Sequence, residues 1–260
     1  MKFSNKRFSE KEENLKTEFE EKKMKRIDLV RIELIALLLL LSAASLPVWA
    51  QVGEQRHNLA IGVNGGINLA SVSLTPTVKQ AQLGGINGGF TARYISEKLF
   101  KMICGLQMEV NYAQRGWDES YIDYPELSYT RTMHYVEVPF LAHLAFGRDR
   151  GMQFFIHAGP QIGFLLSDSE QMDGDWEGAL ADGANLVTEQ HGKAIDNKFD
   201  YGIAAGLGVE LRTKAGNFLL EGRYYYGLSD FYNSTKKDYF ARSAHNVITV
   251  KLAYLFDLSR

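Results

Sequence analysis

From Asn58 to Leu258 the chain carries eight stretches in which every second residue is uncharged and mostly bulky and apolar. In the first, Leu59, Ile61, Val63, Ile67 and Leu69 share one parity, while Asn58, Ala60, Gly62, Asn64, Gly66 and Asn68 share the other. Side chains on a strand point alternately to opposite faces, so the pattern predicts a strand with one greasy and one small, polar surface. The same apolar parity recurs at Ile86, Phe90 and Tyr94, from Met102 to Tyr112, from Val136 to Phe146 and from Phe154 to Leu166. It returns from Tyr201 to Leu211, from Phe218 to Leu228 and from Ile248 to Leu258. The opposite register holds Arg93, Glu109, Glu137, His157, Asp200, Glu210, Glu221, Arg223 and Lys251, so charge is sorted between the two faces.

Which face lies inside decides between two kinds of barrel. A soluble, lipocalin-like barrel turns its apolar register inward, whereas an outer-membrane barrel turns it toward lipid and encloses the charges. Most strand glycines, among them Gly62, Gly66, Gly89, Gly159, Gly202, Gly206 and Gly208, share the charged register. On a solvated outer face they would only weaken strands, while inside a narrow lumen they leave room for Arg and Glu side chains. The links, at about 70–82, 96–101, 115–130, 147–151, 167–198, 213–216 and 229–246, alternate long and short. Brief periplasmic turns and extended external loops require that alternation when both termini lie in the periplasm. Aromatic residues gather at both strand ends: Tyr94, Phe146, Phe154, Phe218, Tyr254 and Phe256 at the short-turn end, and Tyr112, Phe164, Tyr201, Tyr224 and Tyr226 at the other. The expected fold is all-β: an eight-stranded antiparallel up-and-down transmembrane β-barrel.

The front of the chain suggests how such a barrel reaches its membrane. From Met24 a basic start leads into an apolar stretch from Leu34 to about Leu46, then Pro47, Val48 and Ala50. This pattern predicts a secretory signal peptide over 24–50 with cleavage after Ala50. A membrane-anchoring helix would need about 20 apolar residues, more than this stretch supplies. Residues 1–23 are dense in Lys and Glu and precede the signal, so translation is expected to begin at Met24, with the first segment an artefact of the gene model. The remainder, 51–260, forms one barrel domain with no second domain and no solenoid repeat.

That domain holds 19 Lys and Arg against 23 Asp and Glu, a net of about −4, which leaves no footprint for nucleic acid. Cys104 is the single cysteine and stands in the apolar register, where it behaves as a small hydrophobe. Pro139 falls in the lumen register and Pro160 in the lipid register. Each removes a ladder hydrogen bond, and a β-bulge is expected at each, with Gly159 easing the second.

Several strings carry a resemblance: Y-V-E-V-P at Tyr135–Pro139, F-F-I-H-A-G-P-Q-I-G-F-L-L at Phe154–Leu166, F-D-Y-G-I-A-A-G-L-G-V-E at Phe199–Glu210, and Y-Y-G-L at Tyr225–Leu228. Through them the chain resembles the PorT-like outer-membrane β-barrel family of Bacteroidetes over its whole length from Gln51. The resemblance implies an eight-stranded barrel in the outer membrane and suggests a role in protein secretion or envelope organisation. It transfers no catalytic residue.

Candidate chemistry is sparse. Arg93, Glu109, Glu137, His157, Glu210, Glu221, Arg223 and Lys251 form a polar cluster expected in the lumen, as a salt-bridged plug or as the lining of a narrow or gated solute channel. The loop 167–198 carries D-G-D-W-E-G at 173–178 with Asp168, Glu170 and Asp182 nearby, which suits either a solvated acidic loop or a hard cation such as Ca²⁺. It lacks the full twelve-residue ligand pattern, so no metal or cofactor is expected. Trp176 in the same loop is a candidate contact for a protein partner. A lipid-modifying enzyme would need a nucleophile and base; Ser128 with His134, and His143 with His157, are the available residues, and no nucleophile motif supports them. The expectation is a non-enzymatic monomer, with membrane lipid around it and an envelope or secretion partner on its external loops.

Overall fold

The computed structural model describes residues 53–121, 124–181, 186–235 and 237–258. The expected 1–23 extension and the 24–50 signal peptide lie outside the described residues. Eight strands are present: β1 (Glu54–Thr75), β2 (Leu83–Leu99), β3 (Met102–Ser120), β4 (Ser128–Gly147), β5 (Gly151–Asp173), β6 (Phe199–Arg212), β7 (Asn217–Gly227) and β8 (Arg242–Asp257). Among the described residues one short helix, α1 (Trp176–Ala181), sits between β5 and β6. Each strand pairs antiparallel with its neighbours in sequence, and β1 closes on β8, so no edge is left open.

The apolar register faces outward. Phe90, Leu106, Leu207 and Leu252 are each more than 60% exposed, while Arg93, Glu109, Glu210 and Lys251 are buried. Hydrocarbon is the only surrounding that suits that sorting. Both expected aromatic groups point outward at the two strand ends. The tight connections, 100–101, 148–150 and 213–216, fall at the end that also holds both barrel termini.

Two sequence expectations need correction. The pairing register runs through Pro139 and Pro160 without a shift; β4–β5 instead omits its rungs at Phe140 and Leu141, opposite Pro160 and Gly159. Gly159 lets the two strands approach closely there, since a Cβ would stand 2.0 Å from the Phe140 carbonyl oxygen. The inward glycines thus serve the backbone as much as the side chains. At Gly62 a Cβ would meet the Tyr254 carbonyl oxygen at 1.8 Å, whereas at Gly206 it would meet the Glu221 carboxylate at 2.7 Å. The shifts in register lie at Gln55/Asn58, Ile95/Glu97 and His134/Tyr135.

The strands are also longer than the membrane requires. With a rise of about 3.3 Å per residue, the 23 residues of β5 trace about 75 Å, whereas about ten tilted residues cross the apolar band. The 115–130 link expected as a loop is therefore largely strand, with Trp117 opposite Arg131 and Glu119 opposite Tyr129 in β3–β4 pairing. In this raised wall the polarity inverts. Val72, Leu74, Trp117, Tyr129 and Met133 face inward and are buried, while Ser71, Ser73, Asp118, Thr130 and Thr132 take the outer face. Water surrounds this part of the sheet, so the apolar side turns in.

Candidate functional site

The lumen is crossed by ion pairs. Arg93 on β2 and Glu210 on β6, four strands apart in a ring of eight, join in a bidentate pair at 2.6 and 2.7 Å. Arg223 on β7 does the same with Glu109 on β3, again straight across the ring, at 2.8 and 3.0 Å. Two planar forks reach over the full diameter, so an eight-strand interior is filled by its own side chains at these levels.

The second pair anchors a larger network. Arg223 also donates to Glu221, and Lys251 donates to Glu109, so Glu109 takes hydrogen bonds from two cations. Glu221 accepts from His157 Nδ1 at 3.0 Å, and His157 Nε2 meets His143 Nδ1 at 2.8 Å. With Glu221 ionised and His157 neutral, this order makes His157 Nδ1 and His143 Nδ1 the donors. Nearer the external end, Arg115 donates to Glu137 at 2.6 Å and to Asp200 at 2.7 Å, under the rings of Tyr225 and Tyr135. All eight residues of the expected polar cluster are buried in the lumen. Arg115 completes it; the 115–130 link expected from the sequence includes it, although its parity continues that of Glu109 and Asn111.

A further tier was hidden by a bulge. Tyr135 pairs with Leu165 but His134 pairs with Ser167, so one extra residue in β5 reverses the facing of everything beyond it. Asp168 and Glu170 thereby turn toward Arg131 on β4 and form salt bridges with it. Arg131 also donates to the Tyr232 hydroxyl at 2.9 Å and to the Lys193 carbonyl at 2.7 Å, tying two external loops to the barrel wall.

Above this tier the external loops form a packed cap. Its core joins Val72, Leu74, Trp117, Tyr129, Met133, Phe231, Tyr232 and Phe240 with residues of the 174–198 loop. Glu119 is its polar centre, accepting from Trp117 Nε1, the Tyr121 hydroxyl and Gln190 Nε2, and meeting His191 Nε2 at 3.0 Å. The His191 ring stacks on Tyr129 at 4.0 Å between centroids and lies edge-on to Trp176 at 4.6 Å.

These contacts bear on three readings. Trp176 is not an exposed anchor: it is 4% exposed, packs against Tyr121 and donates to the Asp173 carbonyl. The acidic run is committed elsewhere, with Asp168 and Glu170 on Arg131 and Asp175 capping α1 through the Gly178 amide; Asp182 lies outside the described residues. Among the described residues no group of carboxylates, His or Cys is arranged to hold a metal. Ser128 and His134, six residues apart on one strand, stand about 20 Å apart, and His134 bonds the Tyr112 hydroxyl instead.

Residues 49–233 match the family described as the outer membrane protein beta-barrel domain. The chain belongs to that family. As an outer-membrane barrel it is similar to several solved structures at low identity. The attachment invasion locus protein Ail of Yersinia pestis is 12% identical, covering 77% of this chain and 100% of Ail, with a TM-score of 0.35. OprG of Pseudomonas aeruginosa is 11% identical over 78% of this chain and 98% of OprG, with a TM-score of 0.41. Neisserial surface protein A is 11% identical over 76% of this chain and 99% of its own, with a TM-score of 0.38. No curated protein matches. The barrel assignment rests on the closed ring of strands and the family match.

Proposed function

We propose that this outer-membrane barrel is closed to solutes, catalyses no reaction, and acts as a monomer through its external cap in protein secretion or envelope organisation. The observation that carries the reading is the pair of bidentate bridges, Arg93–Glu210 and Arg223–Glu109, spanning the lumen between opposite strands. A barrel bridged twice across its bore and then roofed by an aromatic cap is suited to presenting a surface, not to passing cargo. The PorT-like strings at Tyr135–Pro139, Phe154–Leu166 and Phe199–Glu210 support the secretion or envelope setting. Export through a signal peptide cleaved after Ala50 belongs to the same proposal, and the amino terminus of the membrane-extracted protein tests it.

Exposed Leu180 on α1 and exposed Tyr239 in the 228–241 loop replace Trp176 as the apolar contacts of the cap. Photo-crosslinking groups at these two positions are expected to capture one envelope protein in living cells, and a group placed on the lipid-facing Leu207 is not. Planar bilayer recordings on the purified protein should show no steady conductance. Reproducible unitary openings would overturn the closed-barrel reading.

A further inference from the structure

We propose that the periplasmic mouth of the barrel is a binding site for an oxyanion of the phosphate or carboxylate type. At the short-turn end a cup of about 500 Å³ opens among the start of β1, the β4–β5 turn and the β6–β7 turn. It is blind, because an apolar layer that includes Ile95, Phe155, Leu219 and Leu255 closes the lumen behind it, with the Arg93–Glu210 bridge beyond.

The cup is lined by four cations, Arg56, Arg150, Arg212 and Lys214, against three carboxylates, Glu54, Asp149 and Asp257. Those carboxylates are already drawn on. Asp149 is shared between Arg56 and Lys98, each at 2.9 Å, and Asp257 accepts from Asn217 Nδ2 at 2.8 Å. Arg212 has its carboxylates only at 3.7 and 3.8 Å, beyond hydrogen-bond length. Arg150 and Lys214 have no partner among the described residues. In the same wall the Arg56 Nε and Asn58 Oδ1 atoms are buried and unpartnered among the described residues.

Donors from three separate segments thus converge on one concavity with their charge only partly answered. Guanidinium forks match a tetrahedral or planar oxyanion, and a cup of this size admits one such group with its attached carbon or phosphorus skeleton. The group arrives either on a soluble molecule or as the headgroup of an anionic lipid in the adjoining leaflet.

The protein extracted from membranes and placed in phosphatidylcholine nanodiscs separates these sources. Inorganic pyrophosphate is titrated while the amide resonances of Thr213, Gly216 and Asn217 are followed by NMR; a parallel sample carries phosphatidylglycerol and no pyrophosphate. Saturable shifts at these amides with pyrophosphate assign a soluble oxyanion, and the same shifts produced by phosphatidylglycerol alone assign a headgroup. In either arm the double variant Arg150→Gln/Lys214→Gln should weaken binding about tenfold, the loss of roughly one charge-assisted contact. Both side chains are exposed and unpaired, so heat-modifiable gel mobility should confirm an unchanged barrel. Absence of saturable shifts in both arms, or equal affinity in the double variant, would overturn the assignment.

Discussion

Replacing Glu210 with Gln asks whether the lumen is dry. Glu210 and Arg93 are 1% and 2% exposed, their two hydrogen bonds measure 2.6 and 2.7 Å, and the pair sits on opposite strands. In a dry interior the substitution strands the Arg93 guanidinium and also removes the nearest carboxylate from Arg212, at 3.7 Å. Breaking a buried pair from one side costs about 3–5 kcal/mol, and the double exposure of cations places Glu210→Gln near the upper end. Arg93→Met should cost less, about 3 kcal/mol, because Arg212 remains to answer Glu210. Changing both, Arg93→Met with Glu210→Leu, should return to within about 1 kcal/mol of the parent, since an apolar pair of similar volume needs no charge compensation. Urea unfolding from phospholipid vesicles, followed by far-ultraviolet circular dichroism, supplies all four corners of the cycle. If Glu210→Gln costs under about 1 kcal/mol, the value for a solvated pair, then water fills the bore and the closed-barrel reasoning fails.

Three other outcomes are expected. Trp176→Ala removes a buried aromatic from the cap, a local loss of about 3–5 kcal/mol, and should speed tryptic cleavage after Lys193 and Lys198 while the barrel's dichroism stays unchanged. Gly159→Ala drives a Cβ to 2.0 Å from the Phe140 carbonyl, so the folded, heat-modifiable fraction should fall, by an equivalent of about 3 kcal/mol. The third concerns Asp149 in the β4–β5 turn, whose carboxyl is held down at about 2, first by the Arg56 hydrogen bond and then, against some desolvation, by Lys98. A depressed carboxyl stabilises the fold above its unfolded value near 3.8 and loses that contribution as pH falls toward 2. Nearly half of the side chain is exposed, so screening keeps the gain below about 1 kcal/mol. Asp149→Asn should therefore be slightly less stable than the parent at pH 7 and indistinguishable from it near pH 2.

The parts of this architecture that face lipid were legible in the sequence because hydrocarbon imposes a strict rule: every outward position at membrane height, such as Leu59, Phe90, Leu207 and Phe256, must be uncharged. Above the bilayer that rule lapses, and the reading lapsed with it. Ser71-Val72-Ser73-Leu74 and Tyr129-Thr130-Arg131-Thr132-Met133 keep a period of two with the polarity reversed, which was the available sign that β1 and β4 continue into water. Arg115 was misplaced for this reason. The inward turn of Asp168 and Glu170 had no such sign, because a single bulged residue changes parity without altering composition. Burial of Trp176 depends on His191 and Tyr121 arriving from distant loops, a contact that no local pattern records. The lumen cluster was found as a set of residues, while its partners, such as Arg93 with Glu210, follow from ring closure alone.

The reversal of facing along single strands has a bearing on protein engineering. Small outer-membrane barrels invite trimming to a minimal hoop and replacement of everything outside the bilayer by foreign epitopes. Here such a cut would unroof Trp117, Tyr129, Met133 and Phe231, leaving a sticky crater where the parent has a packed dome. Grafts belong at the outermost tips, for instance beside Tyr239, where the polypeptide can be lengthened without disturbing the masonry beneath.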